Sequence, residues 1–218
     1  MLLTILALAL IPYVVNQVKK PTRHVGRLFL WIMNRSHSRL TDWGLGHLAI
    51  ERLSRVLDVG CGGGRTIEKL ATLAADGRVC GIDFSRGSVE ASRSLNATRI
   101  EAGRVAIVQG SVSRLPFAER RFDLVTAVET HYYWPDLVAD LSEIRRVLVP
   151  GGTLIVIAEA FRGSRHGWMQ HPMMTLLRAR FPGVDEMRAS YRDAGFTAVE
   201  TFVEEREGWM CAVGRTPS

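Results

Sequence analysis

The stretch Val56-Leu57-Asp58-Val59-Gly60-Cys61-Gly62-Gly63-Gly64 decides the fold. An apolar run that stops at a cluster of glycines reads as a buried parallel strand bending sharply into a helix. Glycine permits the bend and lets the backbone approach a ligand closely, because no Cβ stands in the way. The helix that follows presents free N–H groups and its positive end, a seat for an anion or a carboxylate. The nicotinamide and flavin fingerprint G-x-G-x-x-G, started at Gly60, needs a third glycine at the position of Arg65. A dinucleotide is therefore disfavoured.

Downstream, strand and helix patterns alternate. Residues 55–59, 78–82, 104–108, 122–128 and 153–158 are apolar runs of strand length. Between them, 66–75, 86–101 and 137–148 have helical pattern and close at Gly77, at Gly103 and at Pro150-Gly151, the expected stop signals. A further helix over 184–194 closes at Gly195. Two β-rich runs follow, 197–204 and 209–213, joined by Glu205-Arg206-Glu207-Gly208, a link short enough only for a hairpin. The expectation is an α/β doubly wound sheet with helices on both faces, right-handed crossovers and an antiparallel pair at one edge. Ligands then sit at the carboxyl ends of the strands, where Asp83 ends the second run as a candidate acceptor for both hydroxyl protons of a ribose.

Composition bounds the class. The 218 residues are 47% apolar and 23% charged, which excludes disorder, and three cysteines are too few for a disulfide scaffold. A reduced, cytoplasmic protein is the default. The net charge of +6 invites nucleic acid or an anionic membrane as a partner. Its location argues otherwise for nucleic acid. Residues 1–55 hold eight basic side chains against Asp42 and Glu51, whereas 56–218 hold twenty of each sign. The body is neutral, and no nucleic-acid groove is expected on it.

Upstream, residues 1–18 are mostly apolar and Lys19-Lys20 follow at once. The run is short for a spanning helix and carries Pro12, and it lacks the charge order of a signal peptide. It reads as a helix lying on a membrane surface or packed on the fold, with Lys19, Lys20, Arg23 and Arg27 near headgroups in the first case. Peripheral membrane contact is accordingly expected of residues 1–27. Three segments result: an apolar 1–18, a basic helical lid or cap over 19–54, and a ligand-binding domain over 55–218.

Taken in order, VLDVGCGGG, GIDFS, VQGSVSRLPF, RFDLVTAVETHYYWPD and LVPGGTLIV make the chain resemble the class I S-adenosylmethionine-dependent methyltransferases of small-molecule type, over about residues 45 to 214. The resemblance implies the sheet order 3-2-1-4-5-7-6 with strand 7 antiparallel. It implies S-adenosyl-L-methionine as cofactor and S-adenosyl-L-homocysteine as product. Asp58, Gly60 and Gly62, with Cys61 in the same turn, would hold the methionine part; Asp83 would take the ribose hydroxyls; Phe84 and Ser85 would lie along the adenine side. Gly110, Ser111 and Val112 occupy the place where many members carry an adenine-binding acid, a departure from the pattern. Glu129 would reach the cofactor's amino end.

Methyl transfer needs alignment, exclusion of water and at most one proton acceptor. His131 is the candidate base or substrate contact, and Tyr132 and Tyr133 beside it are candidate pocket walls. Trp168 and His171, in the segment after the fifth strand, and His37 and Trp43, in the 28–48 segment, complete the expected pocket. Arg162 and Arg165 would suit an acidic acceptor. No histidine or cysteine pair has metal-ligand spacing, so no metal is expected. The expected activity is transfer of the methyl to an O, N or C nucleophile of a small organic molecule. A membrane lipid or quinone acceptor and a catalytically silent cofactor-binding protein are the alternatives.

Overall fold

The computed structural model describes residues 38–165 and 167–218. Its strands are β1 (Arg55–Val59), β2 (Arg78–Asp83), β3 (Val105–Gln109), β4 (Phe122–Val128), β5 (Leu148–Ala158), β6 (Thr197–Glu204) and β7 (Trp209–Arg215). They form one seven-stranded sheet in the order β3-β2-β1-β4-β5-β7-β6. The five strands β1 to β5 are mutually parallel, and β7 runs antiparallel to both β5 and β6. The helices are α1 (Ser38–Leu45), α2 (Arg65–Leu73), α3 (Arg86–Leu95), α4 (Ala97–Glu101), α5 (Leu137–Val147), α6 (Gly167–Leu176) and α7 (Val184–Asp193).

Alternation along each strand divides the core between the two faces of the sheet. Val56, Leu124 and Ile155 pack with Leu40 of α1 and Ile67 and Leu70 of α2. Their chain neighbours Leu57, Val125 and Leu154 pack with Leu141 and Ile144 of α5 and with Met187 and Tyr191 of α7 on the opposite face. Because both faces are covered, the strands read as continuous apolar runs. The seven-stranded order and the antiparallel β7 are as expected.

Two elements differ from expectation. The helix over 86–101 is broken at Asn96, whose fully buried side chain donates through Nδ2 to Ser92 O and to Gly64 O, both at 3.1 Å. Asparagine competes well for backbone carbonyls, and here it leaves the helical path to tie down the glycine turn. The fifth strand begins at Leu148, ahead of Pro150-Gly151: Phe122 pairs with Leu148 and Leu124 with Thr153, so residues 149–152 loop out of the ladder on the β5 side and pairing resumes beyond them. No helix among the described residues is long and apolar enough to cross a membrane. The expected leader over 1–18 lies outside the described residues.

Candidate active site

The carboxyl ends of β1, β2 and β4 meet at the glycine turn. Both Gly60 N and Cys61 N donate to Ile82 O, at 2.8 and 3.0 Å, so the turn is stitched to the neighbouring strand. Gly60 has φ +75°, and a Cβ there would sit 2.1 Å from Thr130 Oγ1. Gly62 has φ +50° with open space where a Cβ would go. Its N–H donates to Asp83 Oδ2 at 2.9 Å, while Ser85 N donates to Asp83 Oδ1 at 2.8 Å. Each oxygen of Asp83 keeps a lone pair for a further donor. No side chain caps α2, which starts at Arg65. Its first-turn N–H groups face outward from the turn as an anion seat.

Two carboxylates sit in this corner with little water. Asp58 is 2% exposed and accepts a 2.7 Å hydrogen bond from Thr126 Oγ1. Burial pushes its carboxyl up to about 7, the Thr126 bond opposes the shift, and the charge of Asp83 adds to it. Burial raises Asp83 as well, against the two backbone donors. Two adjacent acids that are costly to ionise are poised for a cationic ligand, which would favour their charged forms.

A cleft of ≈ 770 Å³ opens over this corner. Gly60, Asp83, Phe84, Gly110, Ser111 and Val112 form one wall, and Thr130, Tyr132, Tyr133, Trp134, Arg178 and Arg180 form the other. Phe84 is half exposed in it, and Ser85 behind it is buried as the cap of α3. Burial, with the charge of Glu129, pushes the Tyr133 phenol up to about 12, so it is a neutral wall. Cys61 is buried, and burial raises its thiol, which makes it a packing residue of the turn.

Glu129 has a left-handed backbone at φ +57°. Its Oε1 accepts from Tyr132 Oη at 2.8 Å and from Glu159 N at 2.5 Å, and Ala160 N donates to Tyr132 Oη at 3.1 Å. The end of β4 is thereby locked to the end of β5.

His131 does not meet its expected role as base. The ring is 0% exposed, neither nitrogen has a hydrogen-bond partner, and it does not line the cleft. Burial lowers its pKa to about 3, so it is neutral and packs against Tyr132, with the ring centroids 4.1 Å apart and the planes tilted by 42°. Trp43 lies away from the cleft, against Trp209 at 5.9 Å and His47 at 5.0 Å. Trp168 is exposed, and His171 is exposed with its ring edge on Phe181. None of these three lines the cleft. His37 lies outside the described residues. Thr126, Thr130, Arg178 and Arg180 were not singled out by their sequence pattern. Arg180 N donates to Tyr132 O at 2.7 Å and Arg180 Nε to Trp134 O at 3.0 Å, which spends it on the 3₁₀ turn His131–Tyr133 and its exit. Arg178, at φ +48°, has no side-chain partner among the described residues and faces the cleft. No cluster of three or more possible metal ligands occurs among the described residues.

Residues 57–156 match the family model of the methyltransferase domain. The chain is 33% identical over 165 residues to the O-methyltransferase rstn1 of Aspergillus nomiae, covering 69% of each chain. It is 28% identical over 206 residues to the demethylmenaquinone methyltransferase of Geobacillus kaustophilus, covering 84% of this chain and 87% of that one. A SAM-dependent methyltransferase of Thermotoga maritima shares its fold with a TM-score of 0.70 at 21% identity, over 94% of this chain and 99% of that one. The chain belongs to the class I S-adenosylmethionine-dependent methyltransferases of small-molecule type, and its activity is the transfer of that cofactor's methyl group to a small organic acceptor.

Proposed function

We propose that the acceptor is a flat aromatic or conjugated molecule with an acidic hydroxyl, methylated on oxygen. The observation that carries this reading is Arg178, without a side-chain partner among the described residues, facing a cleft walled by Tyr132, Tyr133 and Trp134. An arginine there favours the ionised hydroxyl, and the aromatic walls fit a planar body. Asp83 is the one carboxylic acid among the described residues that line the cleft and belongs to the cofactor's side, so a nucleophile that already ionises near neutrality suits the site. The O-methyltransferase name of the Aspergillus nomiae relative agrees with this reading. Phenolic acids and their uncharged methyl ethers, offered with cofactor carrying a labelled methyl, test it. Labelled ethers should form only from the free hydroxyls, and Arg178→Gln should raise KM about tenfold for ionised acceptors with the cofactor Kd unchanged. Preferential labelling of amines, or an Arg178→Gln enzyme with unaltered KM, overturns the reading.

The residues fit the cofactor in charge. S-Adenosylmethionine supplies a methyl group on a sulfonium, already activated for in-line displacement. Asp58 would accept hydrogen bonds from its ammonium end, through the carboxylate that Thr126 orients. The open N-terminus of α2 and the space at Gly62 would receive its carboxylate. Asp83 would accept the ribose hydroxyls, Phe84 would cover the adenine, and Gly110, Ser111 and Val112 would close the adenine side. Glu129 holds the 3₁₀ turn in place and with it the acceptor wall. The walls exclude water and position the acceptor, which supplies most of what methyl transfer needs.

Peripheral membrane contact through 1–27 belongs to the same proposal, whereas α1, in the segment expected as a cap, packs on the sheet with α2 and lines no part of the cleft. The support for that contact is the apolar run followed by Lys19 and Lys20.

A further inference from the structure

Helix α6 presents its apolar side to solvent. Trp168 is 76% exposed, Met169 53% and Leu176 51%, so three of the eight exposed large hydrophobics among the described residues fall on one ten-residue helix. Pro172 is exposed with them. At 3.6 residues per turn, positions 168, 169, 172 and 176 fall within about 100° of one another. The opposite side carries the buried Gly167 and Met174, so the stripe is not the face that packs on the fold.

Charge around the stripe has one sign. Residues 160–183 contain Arg162, Arg165, Arg178 and Arg180 and no aspartate or glutamate. Arg162 is paired with Glu186 of α7, and Arg180 is spent on main-chain carbonyls. Arg165, just before α6, and Arg178, just after it, have no partner among the described residues and are exposed. A tryptophan-bearing apolar stripe with the free Arg165 at one end matches the boundary between acyl chains and anionic headgroups. A second copy of this face would bring like charges together, which argues against self-association through it.

We propose that α6 is a membrane-docking element, with Trp168, Met169, Pro172 and Leu176 entering the interface of an anionic lipid layer and Arg165 on its headgroups. Arg178 lines the cleft instead, so docking sets the cleft mouth beside the lipid surface and lets an amphiphilic acceptor pass between them. The inference does not depend on which acceptor is methylated.

Co-sedimentation of the full chain with vesicles tests it, using phosphatidylcholine alone and three parts phosphatidylcholine to one of phosphatidylglycerol. The expected result is binding to the anionic vesicles, weakened roughly tenfold by Trp168→Ser and severalfold by Arg165→Gln, and kept by Trp168→Phe. Cofactor affinity serves as the folding control in each variant. Because every variant keeps residues 1–37, their own contribution is common to all. Binding to anionic vesicles that Trp168→Ser leaves unchanged overturns the proposal, as does absence of binding by the parent chain. Equal binding to both vesicle types also overturns it. A Trp168→Ser variant that changes oligomeric state in size-exclusion chromatography without changing vesicle binding assigns the stripe to a protein interface instead.

Discussion

Thr126 Oγ1 donates to Asp58 Oδ1 at 2.7 Å across the β1–β4 pair, deep in the sheet, and this hydroxyl orients a carboxylate that burial holds at a pKa of about 7. Without ligand, Asp58 is protonated below that pH. A cationic cofactor favours its ionised form, so binding below pH 7 releases a proton. Cofactor affinity should therefore rise with pH by up to about tenfold per unit and level off above pH 7. Calorimetry in buffers of different ionisation enthalpy measures the proton directly. Asp58→Asn should abolish the pH dependence and weaken cofactor binding by roughly 10- to 100-fold.

The same variant should stabilise the ligand-free protein at pH 8. An acid whose folded pKa lies above its unfolded value loses stability as pH rises between the two, here from the ordinary carboxylate range to about 7. Asparagine removes that loss while keeping an acceptor for Thr126. A melting temperature that rises in Asp58→Asn at pH 8 and changes little at pH 4 is the expected pair of results; equal shifts at both would contradict it.

Gly60 and Gly62 look alike in the sequence but differ in their surroundings. A Cβ at Gly60 would meet Thr130 Oγ1 at 2.1 Å and Thr130 Cβ at 2.6 Å, whereas one at Gly62 meets nothing within 4 Å. Gly62→Ala should cost the fold only the left-handed backbone penalty, about 1 to 2 kcal/mol, while weakening cofactor binding, because its methyl enters the space proposed for the cofactor's carboxylate. Gly60→Ala should displace the turn and eliminate measurable binding. Thr130→Ala should not rescue it, because the Cβ remains. Thermal melts and cofactor titration of the three variants check this ordering.

What was legible follows from how each feature is encoded. The strands and the glycine turn announce themselves locally: β1, β4 and β6 have the expected bounds because each is a β-rich run that meets a glycine or charged residues at its ends. Asp58, Asp83, Phe84 and Gly110 sit at strand ends, so topology alone brings them together. Cleft walls supplied by segments distant in sequence are encoded differently. Arg178 and Arg180 reach the cleft because the chain after α6 folds back onto the 3₁₀ turn, and no local pattern records that contact. His131 and Trp168, both expected at the cleft, leave it for the same reason: the histidine turns into the core and the tryptophan out to solvent.

His131 is neutral in the fold and chargeable when unfolded. Its folded pKa of about 3 lies below the ordinary value of 6.5, so the stability it contributes is present above pH 6.5 and is lost as pH falls toward 3. His131→Phe removes the titration and keeps an aromatic ring on Tyr132. It should flatten the acid limb of the stability profile between pH 6.5 and 4 and leave kcat within about twofold, since packing and not proton transfer is at stake. Chemical denaturation across that pH range, with turnover measured in parallel, checks both halves; a large loss of kcat with stability intact would restore the base role.

Tyr132 Oη donates to Glu129 Oε1 and accepts from Ala160 N, so one phenol holds the ends of β4 and β5 together beside the cleft. Tyr132→Phe leaves a buried N–H without its acceptor and Glu129 with one donor fewer. The cost should be roughly 1 to 3 kcal/mol. The functional effect should fall mainly on the acceptor, because Tyr132 O also receives Arg180 N and fixes the wall that carries Arg178. Asp58 and Asp83 do not touch this link, so the cofactor Kd should move less than the acceptor KM. Paired titrations of cofactor and acceptor on the Phe variant check that split, and equal losses in both would place Glu129 on the cofactor instead of on the wall.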